Sequence, residues 1–430
     1  MPHIVLNFDD LATTSLRKDA LSIAEAGLAA INTRQAIRRK MRIENDDLLI
    51  DGKRFPLSGR RVLFVGIGKC AMAAACAVEK LLDGRLAGGI AFDVSDIDSG
   101  DLQKIEAYVG THPEPSDVNM AATKRIVQFL GESRESDLVI MLISGGGSTL
   151  LCLHDEPMTC LDERMLFDEL TARGASIQDL NTVRKHISQA RGGGLAKAAY
   201  PAEVVSLIVS DVPGNDLHFI ASGPTVRDDS TAEDAKAILK KYGVEAPKGT
   251  IFLETPKDGK FFERVTNMLF VTNRDALDAM ADEARMRGYA PHIESDHYAG
   301  EARDVAHQAL ESLHAAGARS AILWAGESTV SLGEHAGTGG RNQELALAAL
   351  SDVQSGELLL AFASDGRDDT DHDGAIADTT TLEHAKTAGE EPKKHLAAHS
   401  SYDFFSATGD YLETGYTGSN VSDLLITLKG

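Results

Sequence analysis

The sequence predicts two α/β domains, each with helices packed on a β-sheet. Short apolar segments alternate along the chain with longer amphipathic ones, an order typical of strands and helices in parallel sheets. The chain has 430 residues, 43% of them hydrophobic, which is more than one core usually holds. Because residues 242–260 are rich in charge and contain prolines, we expect an N-terminal domain over residues 1–245 and a C-terminal domain over 246–430.

In the N-terminal half, helices are predicted where apolar residues recur every three or four positions, and strands where short apolar runs end at glycine or polar residues. In order, these patterns predict one long helix at 11–42, a strand at 61–65, a helix at 70–82, a strand at 89–94, a helix at 121–130, a strand at 138–143, a helical segment at 161–199 with a break near Gly174, and a strand at 204–209.

The C-terminal half repeats the alternation. The same patterns predict a strand at 268–271, helices at 275–286 and 301–315, a strand at 320–324, a helix at 342–350, a strand at 357–363 and a last strand at 423–428. In open α/β sheets, ligands bind outside the carboxyl ends of the strands. The loops that follow these strands are therefore the first places to look for function.

Composition excludes several classes of partner. A formal net charge of −22 argues against nucleic acid or an anionic membrane as a partner, because both require a basic face. The chain has no apolar run of about 18 residues and no signal-like N-terminus, so we expect a cytoplasmic protein. Its four cysteines show no Cys-x-x-Cys spacing, which predicts reduced thiols rather than a disulfide framework or a zinc site.

Three consecutive glycines follow the predicted strand at 138–143, in the segment from Ser144 through Gly145, Gly146 and Gly147 to Ser148. Bare backbone and flanking hydroxyls at a strand end suit an anion, and a helix after them would add its dipole. A tight turn without a ligand explains the pattern equally well.

The segment Gly66–Ala71 matches the dinucleotide fingerprint in its G-x-G-x-x-A form, and Asp93 follows at a distance that suits a ribose. An NAD enzyme is therefore an alternative. Lys69 suits the phosphoryl group that a kinase transfers at least as well as the pyrophosphate of a bound dinucleotide. Taken alone, Lys69 reads as a surface lysine at a helix entry.

Three further loops carry charge. Residues 365–373 are aspartate-rich but lack the final glutamate and preceding helix of an EF-hand, so we reject that interpretation and expect most of these aspartates to be solvated. Asp365 stays a candidate for magnesium binding or proton abstraction because it directly follows a strand. Arg341 follows a glycine hinge and either closes on a phosphate or carboxylate or simply marks an ordinary helix entry. Asp211 is interpreted as a helix or turn cap, or alternatively as a metal ligand or a base.

Nine motifs in order along the chain resemble the type II glycerate 2-kinase family, which has a C-terminal MOFRL domain and some members labelled hydroxypyruvate reductase. They are Gly68–Ala71, Thr111–Pro113, Ser144–Ser148, Leu180–His186, Ser210–Gly214, Ala221–Thr225, Gly339–Glu344, Ser364–Gly366 and Gly418–Asp423. Two departures from the family pattern are Asp369, where glycine is common, and Tyr416, where proline is usual.

The resemblance implies a Rossmann-like three-layer first domain, a second domain with a mixed sheet that includes a MOFRL region at about 320–428, and an active site in the cleft between them. The final strand either stays in the second domain or returns to the first. The implied reaction transfers the γ-phosphoryl group of ATP, with Mg²⁺, to D-glycerate and yields 2-phosphoglycerate. An NAD(P)H-dependent hydroxypyruvate reductase is the alternative, and a homodimer is left open.

The resemblance places Lys69 and Arg341 on the family's essential basic pair, and we assign them to neutralising the transferring phosphoryl group and the glycerate carboxylate. The Ser144–Ser148 loop, with Asn181 and Arg184, is expected to hold substrate or phosphate oxygens. Asp211 is our candidate for catalysis, and Asp365 our candidate for the metal.

Overall fold

The computed structural model describes residues 3–96, 102–210, 212–332 and 336–430. It consists of two compact units. Thr33–Val271 forms one, here called the middle unit, and Met1–Asn32 together with Thr272–Gly430 forms the other, here called the terminal unit. The chain thus divides at 32/33 and 271/272 rather than at the expected 245/246, because its first helices pack within the unit that contains the C-terminus.

The secondary structure of the described residues is as follows. The helices are α1 (Phe8–Leu11), α2 (Ser15–Ile31), α3 (Thr33–Lys40), α4 (Ala71–Leu82), α5 (Asp117–Gly131), α6 (Gly147–Leu150), α7 (Cys160–Ala172), α8 (Ile177–Lys185), α9 (Gly194–Ala199), α10 (Ala232–Tyr242), α11 (Asn273–Met286), α12 (Ala302–Ala315), α13 (Arg341–Ala349), α14 (Thr379–Ala388), α15 (Pro392–Ala398) and α16 (Ser401–Thr408). The strands are β1 (Met41–Glu44), β2 (Asp47–Ile50), β3 (Lys53–Pro56), β4 (Val62–Ile67), β5 (Leu86–Asp93), β6 (Ile105–Val109), β7 (Leu138–Ile143), β8 (Glu203–Val209), β9 (Val265–Val271), β10 (Ala290–Glu301), β11 (Ser320–Thr329), β12 (Glu357–Ala363), β13 (Gly374–Asp378), β14 (Tyr411–Leu412) and β15 (Asp423–Lys429).

The middle unit is built on a six-stranded sheet in the order β6-β5-β4-β7-β8-β9, and every pair in it is parallel. Every residue of β4 and β7 is buried, which explains why both strands are continuous apolar runs. Relabelled by their order within this sheet, the strands run 3-2-1-4-5-6, the order of dinucleotide-binding folds. The predicted α/β fold is confirmed for this unit.

A small antiparallel sheet, β1-β2-β3, lies in the same unit and was not predicted. Its strands have four residues each. They are joined by turns in which Asn45, Asp46 and Asp51 have positive φ. Such short strands give too few alternations for a period of two to be recognised.

The terminal unit contains a mixed sheet in the order β10-β11-β15-β12-β13-β14. Only β10 and β11 run parallel, and the other pairs are antiparallel. The final strand β15 lies between β11 and β12, so it stays in this unit and the alternative of a return to the first domain is wrong. No helix of the described residues is both long and apolar enough to cross a bilayer.

The predicted long helix at 11–42 is broken into α2 and α3 at Asn32, which has non-helical dihedral angles. Helix α2 packs against α11 in the terminal unit. Its Arg17, only 1% exposed, is paired with Asp378 and Asp410 at 2.7 Å each. These buried ion pairs fix the N-terminal segment to residues that lie more than 350 positions later in the chain.

Candidate active site

The middle unit offers a ligand position where its strand order reverses, between β4 and β7. In a sheet of this topology the chain leaves the two strands in opposite directions, which opens a crevice at their carboxyl ends. The turn after β4 carries Lys69, and the turn after β7 is the triple-glycine loop. The two strongest sequence motifs of this half therefore meet at one place.

The two turns are joined by hydrogen bonds. The Ser144 hydroxyl accepts a bond from the Cys70 amide at 3.2 Å and donates one to the Ile67 carbonyl at 3.3 Å. The Lys69 amide donates to the Gly145 carbonyl at 2.9 Å. Ser144 is fully buried. Its side chain connects the two turns, and its predicted role in holding substrate oxygens stays a prediction.

Gly68 is required by this close approach. Its φ is +108°, and a Cβ atom added to it would lie 2.3 Å from the Ser144 hydroxyl oxygen. An L-residue is strained at that φ, and no side chain fits in that space. Glycine at position 68 is thus needed for the turn after β7 to pack against the turn after β4.

The loop then passes beneath the Lys69 side chain. Gly146 has a φ of +81°, and a Cβ atom added to it would lie 3.4 Å from Cγ of Lys69 and 3.5 Å from Cδ2 of His112. Gly147 begins α6, which is a single turn, so its dipole adds little. Lys69 is therefore the nearest cationic side chain to this loop among the contacts that Gly146 makes.

Ser148 begins a chain of hydroxyl and amide contacts. Its hydroxyl lies 3.0 Å from that of Ser222, which donates to Oδ1 of Asn181 at 2.8 Å. The Asn181 amide nitrogen donates to Ile177 within α8 at 3.1 Å. Both ends of the Asn181 side chain are thus engaged, and it positions Ser222. The sequence had not singled out Ser222 as a site residue.

Two arginines lie beside Ser148. Arg191 is buried and donates to the Ser148 carbonyl at 2.5 Å and to Oε1 of Glu163 at 2.9 Å. Arg184 lies 3.8 Å from the same Glu163 oxygen and stacks on Phe167. The buried Nε atoms of both arginines have no hydrogen-bond partner. A ligand anion would supply the missing acceptor.

The charges of this group confirm its cationic character. Burial and the neighbouring Arg191 charge lower the pKa of Arg184 to about 10, so it stays protonated at neutral pH. Burial opposes ionisation of Glu163, but Arg191 and His154 outweigh it and lower the pKa of Glu163 to about 2. One carboxylate thus faces two guanidinium groups, and a net positive charge is left next to the loop.

In the terminal unit, Arg341 is the first residue of α13 and is held at three points. Its Nε and Nη2 atoms donate to Asp423 at 2.5 and 3.1 Å, and its Nη1 lies 2.6 Å from Glu327. Burial and the Glu327 charge raise the pKa of Asp423 to about 6 despite the bond to Arg341. The expected mobile arginine is therefore a fixed one, anchored to the start of β15.

Asp368 holds the start of the same helix. Its carboxylate accepts from the backbone amides of Asn342 and Gln343 at 3.0 and 2.9 Å, and from both of their side-chain amides. Burial and the charge of Asp423 raise the pKa of Asp368 to about 7. Sequence reasoning had placed it in a solvated acidic turn, whereas it is the cap that orients Arg341.

The remaining aspartates of the acidic loop divide by exposure. Asp369 and Asp371 are exposed as expected, but Asp373 is fully buried. Asp365 is half-buried and accepts from the Arg367 amide at 3.2 Å. Burial raises the pKa of Asp373 to about 7, and its Oδ1 has no hydrogen-bond partner. The expectation of a mostly solvated loop is thus wrong for Asp368 and Asp373.

Two more sequence-based assignments concern single residues. Asp211 lies outside the described residues. Asp93 is 1% exposed, and its carboxylate accepts from the amides of Met72 and Val94 at 2.9 and 2.7 Å. It therefore fills the start of α4, where a dinucleotide would place its pyrophosphate, and cannot reach a ribose. This geometry contradicts the role of Asp93 in the NAD interpretation.

A cavity of about 340 Å³ opens beside Arg341. Its lining includes Glu327, Gly340, Glu344, His399 and Ser401. Ser328 also lines it, and the buried hydroxyl of this residue has no hydrogen-bond partner. The terminal unit thus offers a polar pocket with a fixed arginine at its wall.

Comparison with known proteins identifies the family. Residues 19–251 match the model of a domain of unknown function (DUF4147), and residues 320–423 match the MOFRL family. A glycerate 2-kinase of Pyrococcus horikoshii is 34% identical to this chain, in an alignment that covers 96% of this chain and 97% of the relative. A putative hydroxypyruvate reductase of Agrobacterium vitis is 39% identical over 86% of this chain and 87% of its own.

The fold agrees with these similarities. The crystal structure of glycerate kinase from Thermotoga maritima superimposes with a TM-score of 0.86, at 33% identity, over 97% of this chain and 100% of that one. Because the similarity spans nearly the full length of both proteins, the chain belongs to the glycerate 2-kinase family, with a DUF4147 region followed by a MOFRL region.

Proposed function

We propose that this protein transfers the γ-phosphoryl group of ATP to the 2-hydroxyl of D-glycerate. The hydroxyl oxygen bonds to the γ-phosphorus, the bond to the β,γ-bridging oxygen breaks, and the hydroxyl proton passes to a base, giving 2-phosphoglycerate and ADP. The observation that carries the proposal is Lys69 lying over the glycine loop at the strand-order switch point, in a chain that resembles glycerate 2-kinases from end to end.

The residues supply charge and position rather than covalent chemistry. In phosphoryl transfer the transition state is loose, and preorganised cations stabilise its equatorial oxygens. Lys69 and Arg341 take this task, and Ser148 with Arg184 holds substrate oxygens. We keep Asp211 as the proposed base. That both cations act on one substrate stays a prediction.

The acidic loop fits a magnesium ion that is shared with the nucleotide. Mg²⁺ is usually held by one or two carboxylates together with phosphate oxygens and water. Asp365 is half-buried, and burial together with the Asp365 charge raises the pKa of the nearby Asp373, whose buried Oδ1 has no hydrogen-bond partner, so these two carboxylates are our candidates for holding the ion. The ion would neutralise phosphate charge.

A coupled assay tests the proposal. Release of ADP should require D-glycerate, and the product should be consumed by enolase without a mutase, since enolase acts on 2-phosphoglycerate. NADH with hydroxypyruvate is the second arm, because relatives carry that label. Oxidation of NADH without ADP release in the first arm would replace the kinase with the reductase.

Two variants test the cations. Lys69→Ala and Arg341→Ala should each lower kcat by about 10²- to 10³-fold, as loss of a preorganised charge does. The exposed Lys80, on the helix that follows Lys69, and the exposed Arg367 provide matched controls, and their alanine variants should keep normal turnover. Near-normal turnover of folded Lys69→Ala would contradict the assignment.

A further inference from the structure

A cluster of soft metal ligands that the proposed reaction does not use lies in the middle unit. Cys152, His154 and Cys160 are each at most 6% exposed, and their ligand atoms all lie within 4.8 Å of one another. The Sγ atom of Cys152 is 2.6 Å from that of Cys160 and 3.2 Å from Nε2 of His154. Residue spacing had indicated no metal site, because the cysteines are eight positions apart.

The imidazole of His154 is oriented as in metal-binding histidines. Its Nδ1 lies 2.6 Å from the carbonyl oxygen of Ile187. Because a carbonyl can only accept, Nδ1 carries the proton, and in the neutral ring Nε2 then presents a lone pair toward Cys152. A backbone carbonyl that fixes the tautomer in this way is the usual outer partner of a histidine ligand.

Glu163 lies beside the cluster. Its Oε1 accepts from Arg191, and its buried Oε2 lies 2.7 Å from Nε2 of His154. The histidine of the cluster is thus in contact with a carboxylate that a buried arginine holds in place.

We propose that Cys152, His154 and Cys160 bind one zinc ion. Two thiolates neutralise Zn²⁺, and the Glu163 charge is balanced by Arg191, so the buried site is neutral overall. Thiolate sulfur and imidazole nitrogen are the donors typical of structural zinc.

The site would fix the start of α7 to the segment that follows the glycine loop. Glu163 connects the two regions, because its other oxygen holds the arginine that donates to the Ser148 carbonyl. Its role is structural, and the proposal does not depend on the proposed reaction. Each zinc ion that binds to the two thiols should release two protons.

Metal titration of the full-length chain tests the site. The protein is stripped with a chelator under a phosphine reductant and titrated with Co²⁺ and then with Zn²⁺. One Co²⁺ per chain should give the near-ultraviolet thiolate charge-transfer band and the visible bands of tetrahedral cobalt, and Zn²⁺ should abolish both. Zn²⁺ should also raise the melting temperature.

Cysteine variants supply the controls. Cys152→Ser and Cys160→Ser should lose the cobalt bands and the thermal shift, whereas Cys76→Ser, outside the cluster, should keep both. Absence of a thiolate band in the wild type would overturn the proposal even if the variants fail to fold. A Cys152–Cys160 disulfide that survives the phosphine reductant, in a protein that binds no metal, would also overturn the proposal.

Discussion

Removal of Arg341 should have two effects that can be separated. Asp423 is 2% exposed and loses both of its guanidinium bonds in Arg341→Ala. Leaving a buried charge without its partner costs about 3–5 kcal/mol, whereas the contact with the half-exposed Glu327 adds at most about 1 kcal/mol. We expect a loss of about 3–6 kcal/mol in the free energy of unfolding and a large loss of turnover.

The loss of stability should depend on pH with a definite sign. In Arg341→Ala the folded-state pKa of Asp423 rises further above its unfolded value, so the folded state binds more protons than the unfolded state. The variant should therefore lose stability as pH rises from about 5 to 8, because protonation relieves the buried charge at the acid end.

Adding Asp423→Asn to the variant tests the reasoning. The double variant has no buried unpaired charge, so most of the stability should return while turnover stays low. Trp324 is the only tryptophan and lies on β11 in the same sheet, so its fluorescence reports urea unfolding of this unit. Recovery of turnover in the double variant, or an unchanged midpoint in Arg341→Ala, would refute the reasoning.

Further predictions concern pH and packing. In the wild type, kcat/KM for D-glycerate should fall as pH drops through about 6, because protonated Asp423 no longer holds Arg341. If Asp423→Asn shows the same fall of kcat/KM at acid pH, this explanation is wrong. Gly68→Ala should lower the melting temperature sharply, because its Cβ meets the turn after β7, whereas Gly52→Ala, with φ +82° and open space, should cost only about 1 kcal/mol. Arg17→Leu should destabilise the terminal unit by about 3–5 kcal/mol, since two buried carboxylates lose their partner; denaturant unfolding measured by Trp324 fluorescence checks this.

The central buried strands of the two six-stranded sheets and the positions of the key motifs could be predicted because they follow local rules. Buried parallel strands are continuous apolar runs, and ligand loops follow their carboxyl ends. Those two rules drew attention to the turn that carries Lys69 and to the loop from Ser144 to Ser148, whereas the pairing of Lys69 with Arg341 came from the family resemblance. The first two meet at the strand-order reversal of the middle unit.

The roles of individual side chains could not be read from the sequence, because they depend on contacts between distant segments. Ser144 is buried by the turn after β4, and Asp368 becomes a helix cap only because α13 begins beside it. Arg191 and Glu163 lie 28 positions apart, and neither has a recognisable local pattern of its own. The three glycines that follow Arg191 were the one feature of the sequence that drew attention to this arginine.

The arrangement of the terminal unit also has a consequence for synthesis of the protein. Its last strand, β15, lies in the interior of the sheet, and its first 32 residues pack with a region that begins at residue 272. During translation the middle unit can fold as soon as it emerges, since domains generally fold as units. Helix α2 must wait for partners such as α11, which are translated only after the whole middle unit. Until then its apolar face is exposed, and this interval is when the nascent chain is most open to chaperones and to aggregation.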